Sequence, residues 1–296
     1  MQGHLLPNPT LLELALNKAL NGFAKPREAW RIFPSGEVRV RVVISEIVSA
    51  GVIGRTHPAD GLFATALLSD TLRGLGSDVT AIIPYLGYAR QDRPDVNGDS
   101  VGLETVIKIL VASGVRRLIS IDAHNLDALY ETGLPTFVGS VFPDMADRDR
   151  KMFRGPVAVV SPDQGGFERA RSYAMALGGH SGLGWVQKTR HEKGHVTSSG
   201  ISGVVSGKVA VIVDDQVDTG GTILEATRVL REYGFTEIHL RAAHPVLSGK
   251  AVATLKKARL ASISFSDTIP LRSEAKKLPK LSVVSALPAL LRVLTP

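Results

Sequence analysis

Short apolar runs alternate with amphipathic stretches along most of the chain. Continuous runs rich in β-branched residues, too short for helices, predict buried parallel strands at Val79–Pro84, Arg117–Ile121, Val157–Ser161 and Val209–Val213. Apolar residues at helical spacing predict helices at Leu62–Arg73, Gly102–Ala112, Phe167–Leu177, Ile223–Tyr233 and, in the tail, Leu287–Leu294. Strands that alternate with helices are typical of an α/β protein with mainly parallel sheets.

Polar segments and helix-end signals divide the chain. Asp60 is the predicted N-cap of the first of these helices, and Gly234 is the predicted stop of the fourth. In each half, two strands run into polar, charged turns, which predicts two domains, residues 1–145 and 146–296. The boundary falls in the polar segment Phe142–Gly155, which contains Pro and Gly. The tail helix is assigned to the second domain, with packing back on the first as an alternative.

The composition excludes several functional classes but adds little to the predicted fold. The chain of 296 residues has no cysteine, which excludes disulfides, thiolate nucleophiles and cysteine-bound zinc. No apolar run approaches the ~18 residues of a membrane span, and the opening MQGHLLPNPT lacks a signal-peptide pattern. We therefore expect a cytoplasmic protein with no membrane partner. The net charge is +7, but the basic residues are scattered and aromatics make up 5%. This pattern favours an ordinary basic surface over nucleic-acid binding, and a third interpretation is that some of the positive charge faces small phosphorylated ligands.

The stretch VAVIVDDQVDTGGTI combines an apolar strand, two adjacent carboxylates and a glycine turn before a helix. In open parallel sheets, ligands bind beyond the carboxyl ends of strands. A turn that opens a helix there exposes backbone N–H groups and the positive helix end, and glycines let an anion approach closely. The stretch therefore predicts a phosphate site formed by Thr219, Gly220, Gly221 and Thr222, with Asp218 directly before it.

Asp214 and Asp215 cannot face the same phosphate, because like charges repel. They need hydrogen-bond donors or a cation, which the vicinal hydroxyls of a sugar or Mg²⁺ would supply. A sugar phosphate satisfies the whole stretch, with its phosphate on the glycine turn and its diol on the carboxylates. The alternative is an acidic turn that only caps a helix, but two adjacent acids and Asp218 exceed what capping requires.

This stretch resembles the phosphoribosyl-pyrophosphate-binding motif, which type I phosphoribosyltransferases and ribose-phosphate pyrophosphokinases share. A second motif separates these two families, because YLGYARQDRP at Tyr85–Pro94 resembles the YGYARQDR motif of the pyrophosphokinases. On composition alone it is a solvated basic loop whose arginines suit phosphate. The resemblance implies that Arg90 and Gln91 contact ATP, with Asp92 in the same loop.

Three further motifs extend the resemblance. In SIDAHN, an acid, one residue and then His imply that His124 helps bind Mg²⁺ at the nucleotide. In SPDQGG, Asp163 matches the family acid that takes part in metal or ribose-phosphate binding, although a turn former after proline is the alternative. WVQKTRHEKGHV is by itself a basic surface loop. The resemblance implies that its Lys188 and Arg190 lie on a mobile loop that closes over the transferring phosphates.

The segment RIFPSGEVRVRV matches the RF-x-DGE segment with which the family holds the adenine nucleotide, and this implies nucleotide contacts from Phe33, Ser35 and Glu37. Two positions depart from the family pattern. Ser35 stands where an acid is usual, and Pro94 follows RQDR where a lysine is frequent. These departures affect the expected nucleotide affinity and regulation more than the expected ribose 5-phosphate site. They keep a non-catalytic, regulatory homologue as an alternative.

The resemblance spans nearly the whole chain and implies an α/β fold of two similar type I phosphoribosyltransferase-like domains with mainly parallel sheets. It implies transfer of the diphosphoryl group of ATP to O1 of ribose 5-phosphate, with Mg²⁺ as cofactor, by a homo-oligomer. The enzyme alternative is a phosphoribosyltransferase that consumes phosphoribosyl pyrophosphate. That alternative explains neither YARQDR nor SIDAH.

Overall fold

The computed structural model describes residues 1–21, 28–42, 49–178, 182–190 and 196–294. The chain forms two compact units, of which unit 1 is Met1–Ser140 with Ala286–Pro296 and unit 2 is Val141–Ser285. Each unit has its own main sheet and its own buried core. In the described part of the chain, no helix is long and apolar enough to cross a membrane.

Unit 1 is built around a five-stranded sheet. The described strands of unit 1 are β1 (Gln2–Leu5), β2 (Glu28–Ile32), β3 (Val38–Val42), β4 (Ser49–Ile53), β5 (Asp78–Ile83), β6 (Val115–Ile121) and β7 (Thr136–Gly139). The sheet has the order β1-β4-β5-β6-β7, and every neighbouring pair in it is parallel. The remaining strands, β2 and β3, form a separate antiparallel hairpin. β5 is buried after its first residue, as its continuous apolar run predicts.

The helices of unit 1 before the tail are α1 (Leu11–Asn21), α2 (Ala59–Gly74), α3 (Gly102–Ala112) and α4 (Leu126–Glu131). In α2, Leu68 and Leu72 share one face because they are four residues apart, and both are buried in the unit 1 core. Val106 and Leu110 do the same in α3. The predicted bounds of α3 are confirmed at both ends.

The predicted cap of α2 is wrong. The helix begins at Ala59 and Pro58 occupies the N-cap position, so Asp60 lies inside the first turn. There its Oδ1 accepts a hydrogen bond from the Gly61 backbone N–H at 3.0 Å. A carboxylate in the first turn interacts favourably with the positive end of a helix just as a cap does. An acidic residue therefore indicates a helix start without locating its first residue.

Unit 2 contains a seven-stranded sheet. Its strands are β8 (Val157–Ser161), β9 (Gly182–Arg190), β10 (Val196–Val204), β11 (Val209–Gln216), β12 (Glu237–His244), β13 (Ser262–Ser266) and β14 (Leu281–Val284). The order is β10-β9-β8-β11-β12-β13-β14, and every pair is parallel except β9 with β10. Its helices are α5 (Phe142–Met152), α6 (Phe167–Leu177), α7 (Gly221–Glu232) and α8 (Ala251–Lys257). The mainly parallel α/β architecture is confirmed.

A buried ion pair links α5 to β12. The Arg241 guanidinium donates through Nη2 to Asp149 Oδ1 at 2.8 Å and through Nε to the other carboxylate oxygen. The Tyr173 hydroxyl donates to that second oxygen as well. Burial and the adjacent Asp149 carboxylate raise the pKa of the Tyr173 hydroxyl far above its ordinary value, so it stays a donor. The Asp149 carboxylate therefore accepts hydrogen bonds from both Arg241 and Tyr173 inside unit 2.

The tail helix α9 (Leu287–Leu294) packs on β6 and β7 in unit 1. The close approach depends on Gly139 at the end of β7. A Cβ at this position would lie 2.7 Å from the backbone oxygen of Ala289, which real side chains do not tolerate. The last element of the sequence is therefore part of the first unit.

Candidate functional site

Two polar loops of unit 2 emerge from the same edge of its sheet. β8 and β11 are adjacent and parallel, with Val157 to Val160 opposite Val209 to Ile212. The carboxyl ends of both strands therefore lie together. Asp163 follows β8 by two residues, while Asp214 and Asp215 lie in the last part of β11. The structure thus brings the Asp163 loop and the acid pair to one edge.

Asp214 and Asp215 belong to the strand, whereas the sequence predicted that the strand ends at Val213. Pairing with β12 continues through Asp214 opposite Ala242 and on to Gln216, which explains the longer strand. Asp215 is 3% exposed and Asp214 is half-buried. The two carboxylates therefore have different surroundings.

Arg169 of α6 contacts this acid pair and was not identified from the sequence. Its Nη1 lies 3.3 Å from Asp215 Oδ1, and the two side chains are 14% and 4% exposed. The Asp215 backbone N–H donates to Asp214 Oδ1 at 2.9 Å. The basic residues of FERAR are a signal in the sequence, but nothing there tells which of them faces the sheet edge.

Negative charge accumulates at this edge. Burial and then the adjacent Asp215 raise the pKa of Asp214 well above its ordinary value, and Asp163 raises it further. Arg169 opposes these effects and lowers it. Ligand hydroxyl groups or a cation placed here would stabilise the ionised carboxylates.

The glycine turn has the geometry of an anion site. Gly220 is the N-cap of α7, and its φ of +80° is in the left-handed region that glycine adopts without strain. The helix begins at Gly221, two residues earlier than predicted. Backbone N–H groups of a first helical turn have no partner within the helix and suit a phosphate. Thr219 and Thr222 are exposed beside them.

Asp163 has a structural contact of its own. Its Oδ1 accepts a hydrogen bond from the Gly166 backbone N–H at 3.3 Å and caps the short 3₁₀ turn Gln164–Gly166. A Cβ at Gly166 would lie 2.4 Å from Ser161 Oγ, so a larger residue would require the Ser161 side chain or the turn to shift. The capping role and a ligand role are compatible, because a carboxylate has several acceptor sites.

Lys188 and Arg190 lie in a strand rather than in the predicted loop. Both belong to β9, where Lys188 is opposite Ser198 and Arg190 is opposite Val196 of β10. Pairing with β10 extends the β9 strand through both residues. The rest of the predicted loop, residues 191–195, lies outside the described residues.

In unit 1, the loops after β5 and β6 are joined. Asn125 Nδ2 donates to Asp92 Oδ2 at 2.6 Å, and Asn125 Oδ1 caps α4 by accepting from the Ala128 N–H at 3.2 Å. This bond ties the YARQD loop to the SIDAHN loop. Arg90 and Gln91 in the first loop and His124 in the second are exposed around this bond. Asn125 was missed, although an Asn directly before an amphipathic stretch is a helix-cap signal.

The loop after β5 is also fixed to α3. The Gln91 N–H donates to the Tyr88 carbonyl at 2.9 Å, and the Leu103 N–H donates to the Gln91 carbonyl at 3.1 Å. Tyr88 has a φ of +67°, a conformation that a bulky residue rarely adopts. A Cβ at Gly102 would lie 2.5 Å from Gln91 Oε1, so the start of α3 packs directly on this side chain.

The hairpin of β2 and β3 carries Phe33, Ser35 and Glu37 in its turn. The Phe33 N–H donates to the Glu37 carbonyl at 2.8 Å, and Ser35 Oγ donates to Glu37 Oε2 at 3.0 Å. The Arg31 guanidinium lies 4.7 Å from the centre of the Phe33 ring. An ionised Asp at position 35 could not donate to Glu37. The departure from the family pattern therefore gives this turn an internal bond of its own.

Metal ligands are sparse in the protein itself. Within the residues that the structure describes, no group of three or more His, Cys, Asp or Glu side chains forms a metal site. Mg²⁺ typically binds through one or two carboxylates together with substrate phosphates and water. The half-buried Asp163 beside the acid pair fits such a role, because the charge of that pair favours a cation nearby.

Two largely parallel α/β units, with an acid pair and an open helix start at one sheet edge, define a protein of the phosphoribosyltransferase type. Residues 145–270 match the phosphoribosyl transferase domain, and residues 27–114 match the N-terminal domain of ribose phosphate pyrophosphokinase. The chain belongs to the ribose-phosphate pyrophosphokinase family, as its relatives show.

A ribose-phosphate pyrophosphokinase of Gloeobacter violaceus is 32% identical over 286 residues, which cover 94% of this chain and 84% of that protein. One from Caldanaerobacter subterraneus subsp. tengcongensis is 33% identical over 271 residues, 88% of this chain and 84% of its own. The crystal structure of phosphoribosylpyrophosphate synthetase from Mycobacterium smegmatis matches with a TM-score of 0.84 and 28% identity, covering 99% of this chain and 97% of that one. The predicted fold class and family are confirmed.

Proposed function

We propose that this protein is a ribose-phosphate pyrophosphokinase that transfers the diphosphoryl group of ATP to O1 of ribose 5-phosphate. The products are phosphoribosyl pyrophosphate and AMP. One observation carries the proposal: the acid pair and the open start of α7 lie at one sheet edge in a chain that also has the pyrophosphokinase N-terminal domain. A phosphoribosyltransferase that uses phosphoribosyl pyrophosphate would need only the first of these features.

Ribose 5-phosphate binds at the edge formed by β8 and β11. Its phosphate accepts hydrogen bonds from backbone N–H groups and threonine hydroxyls of the turn formed by Asp218, Thr219, Gly220, Gly221 and Thr222, where the helix start favours an anion. Its hydroxyl groups donate to Asp214 and Asp215. Sugar hydroxyls suit this pair, because they satisfy carboxylates without adding negative charge. Arg169 balances part of the charge that remains.

ATP binds through unit 1. The Phe33 ring offers an apolar face to the adenine, and Ser35 and Glu37 present polar groups at the turn of the hairpin. In the loop after β5, Arg90, Gln91 and Asp92 contact the ATP. The bond between Asp92 and Asn125 joins that loop to the one that carries His124.

His124 in unit 1 and Asp163 in unit 2 are the residues that we assign to Mg²⁺ binding. The ion would neutralise the triphosphate and polarise the phosphorus that is attacked. Lys188 and Arg190 add positive charge where the diphosphoryl group passes from one oxygen to the other. The assignment requires that a chelator in excess abolish turnover and that added Mg²⁺ restore it. Full turnover in excess chelator would show that the reaction does not require a metal ion.

The chemical step needs no protein nucleophile. A bond forms between O1 of ribose 5-phosphate and the β-phosphorus of ATP, and the bond from that phosphorus to the oxygen bridging the α-phosphate breaks. AMP leaves with the bridging oxygen, and the proton of the O1 hydroxyl is released to solvent. Such phosphoryl transfers are accelerated mainly by positioning and by charge neutralisation.

The test is AMP formation from ATP and Mg²⁺, with and without ribose 5-phosphate. We expect AMP only in the presence of the sugar phosphate. A protein that binds both ligands but forms no AMP would instead be a regulatory homologue.

We further propose that the enzyme acts in the cytoplasm as a homo-oligomer, with no nucleic acid or membrane partner. Light scattering coupled to size-exclusion chromatography tests the assembly, and a monomer at working concentration would contradict it.

A further inference from the structure

The chain that follows β12 runs alongside the glycine turn. The Val217 N–H donates to the His244 carbonyl at 3.0 Å, and the Leu247 N–H donates to the Val217 carbonyl at 2.8 Å. The Ser248 N–H donates to the Asp218 carbonyl at 3.1 Å. These bonds extend the β11–β12 pairing beyond the sheet, so the two loops form one short ladder.

Ser248 adds a side-chain contact to this ladder. Its hydroxyl donates to Oδ1 of the Asp218 carboxylate. Its carbonyl accepts from the Ala251 N–H at 3.0 Å, where α8 begins. Ser248 is therefore fixed to α8 through its backbone and to the turn through its side chain. Hydrogen bonds to a carboxylate are stronger than those between neutral groups.

The segment that carries Ser248 packs on the unit 2 core and on α8. Leu247 has a φ of +49° and is 4% exposed in the unit 2 core, so core packing holds it in a conformation that a leucine rarely adopts. A Cβ at Gly220 would lie 3.4 Å from the Ala251 carbonyl oxygen and from Thr254 Cβ, so the turn also packs on α8. The glycine turn is thus supported from the side of α8.

We propose that Ser248 is a positioning residue for ribose 5-phosphate. It turns the Asp218 carboxylate toward its own hydroxyl and keeps the N–H groups at Thr219–Thr222 in the arrangement that receives the phosphate. A carboxylate repels a nearby phosphate, and this repulsion weakens with distance, so a donor that holds the carboxylate on its own side favours phosphate binding. This inference rests on the proposed function, because it takes the turn as the ribose 5-phosphate site.

The experiment compares Ser248→Ala and Ser248→Thr with a matched control, Ser282→Ala. Ser282 is a half-buried serine of β14 whose hydroxyl lies 3.1 Å from Ser264 Oγ in the same sheet, away from the turn. Loss of a bond to a carboxylate in Ser248→Ala should raise the KM for ribose 5-phosphate about tenfold. The KM for ATP should stay within about twofold. Ser248→Thr, which keeps the hydroxyl, should restore most of the affinity, and Ser282→Ala should behave as the parent.

Calorimetry of ribose 5-phosphate without ATP separates this inference from the proposed function. If the parent binds the sugar phosphate but forms no AMP, the function fails while the effect of Ser248→Ala on binding is still measured. Inorganic phosphate, as a second probe, should show the same loss, because the site concerns the phosphate. In an Asp218→Asn background, Ser248→Ala should have little further effect if it acts through that carboxylate.

The opposite results overturn the proposal. These are an unchanged affinity for ribose 5-phosphate in Ser248→Ala, or an equal loss for ATP together with a lower melting temperature. Absence of rescue by Ser248→Thr would also count against it. Should the alanine variant fail to fold, Ser248→Cys, with its weaker donor and similar shape, replaces it in the same comparison.

Discussion

Replacing Arg169 by alanine removes the cation that lies 3.3 Å from the Asp215 carboxylate. The two side chains are 14% and 4% exposed, so water cannot replace the lost interaction fully. Removing one partner of a buried ion pair costs about 3–5 kcal/mol of unfolding free energy. We expect ~3 kcal/mol, at the low end, because the contact is longer than a strong charge-assisted hydrogen bond.

Arg171→Ala is the matched control, because it removes the same side chain from the same helix. Arg171 pairs with Glu168 at 2.8 Å, but these side chains are 54% and 74% exposed. Exposed pairs contribute little, and we expect a change within ~0.5 kcal/mol. Guanidinium denaturation of the parent and both variants, with unchanged slope, measures the difference. Equal losses in the two variants would refute the claim that Arg169 supports the acid pair.

The pH dependence gives a second test of the same variant. Burial and then Asp215 raise the pKa of Asp214, and Arg169 opposes them. A carboxyl whose folded-state pKa lies above its unfolded value stabilises the folded chain at low pH, and this contribution is lost as the pH rises through the folded pKa. Without Arg169 that pKa rises further, so the deficit of Arg169→Ala should grow as the pH rises above the ordinary pKa range of a carboxyl group. A deficit that shrinks over this range contradicts the reasoning.

The remaining predictions concern the core, the sugar and the transferring group. Asp149→Ala leaves Arg241 buried without its counterion and should cost about 3–5 kcal/mol in the same denaturation assay, whereas a loss under ~1 kcal/mol would show that the pair is dispensable. Asp214→Ala should weaken ribose 5-phosphate use by about 1.5–3 kcal/mol with the fold intact, and parent-like kinetics would rule out the diol assignment. Lys188→Ala and Arg190→Ala should each lower kcat by about 10³-fold at nearly constant melting temperature. Kinetics beside thermal melts test this, and a fall in stability alone favours a structural role.

Elements whose signal is local are predictable from the sequence. The residues Phe167–Leu177 carry their helical periodicity within one stretch, and α6 has these bounds. Val157–Ser161 likewise coincides with β8, because a continuous apolar run between polar turns is self-contained. The last part of β11 is different. Its acids extend the strand because β12 pairs with them, and a polarity pattern cannot show that pairing.

The same distinction applies to the candidate site. The glycine turn and the acid pair are continuous in sequence, so their chemistry is readable from one stretch. Arg169, Asn125 and Ser248 each act on a partner in another segment, namely Asp215, Asp92 and Asp218. These contacts depend on which strands are adjacent in the sheet. The sequence motifs identify the groups proposed to bind ligands, but they do not identify the residues that hold these groups in place.

The most direct measurement of the central claim is a phosphorus NMR record of all products formed from ATP, Mg²⁺ and ribose 5-phosphate. The proposed transfer predicts AMP and phosphoribosyl pyrophosphate in equal amounts, with the diphosphate resonances of the sugar product growing as those of ATP decline. ADP with a singly phosphorylated sugar product would mean attack at the γ-phosphorus, and ADP with free phosphate would mean hydrolysis. Either result would contradict diphosphoryl transfer by this protein.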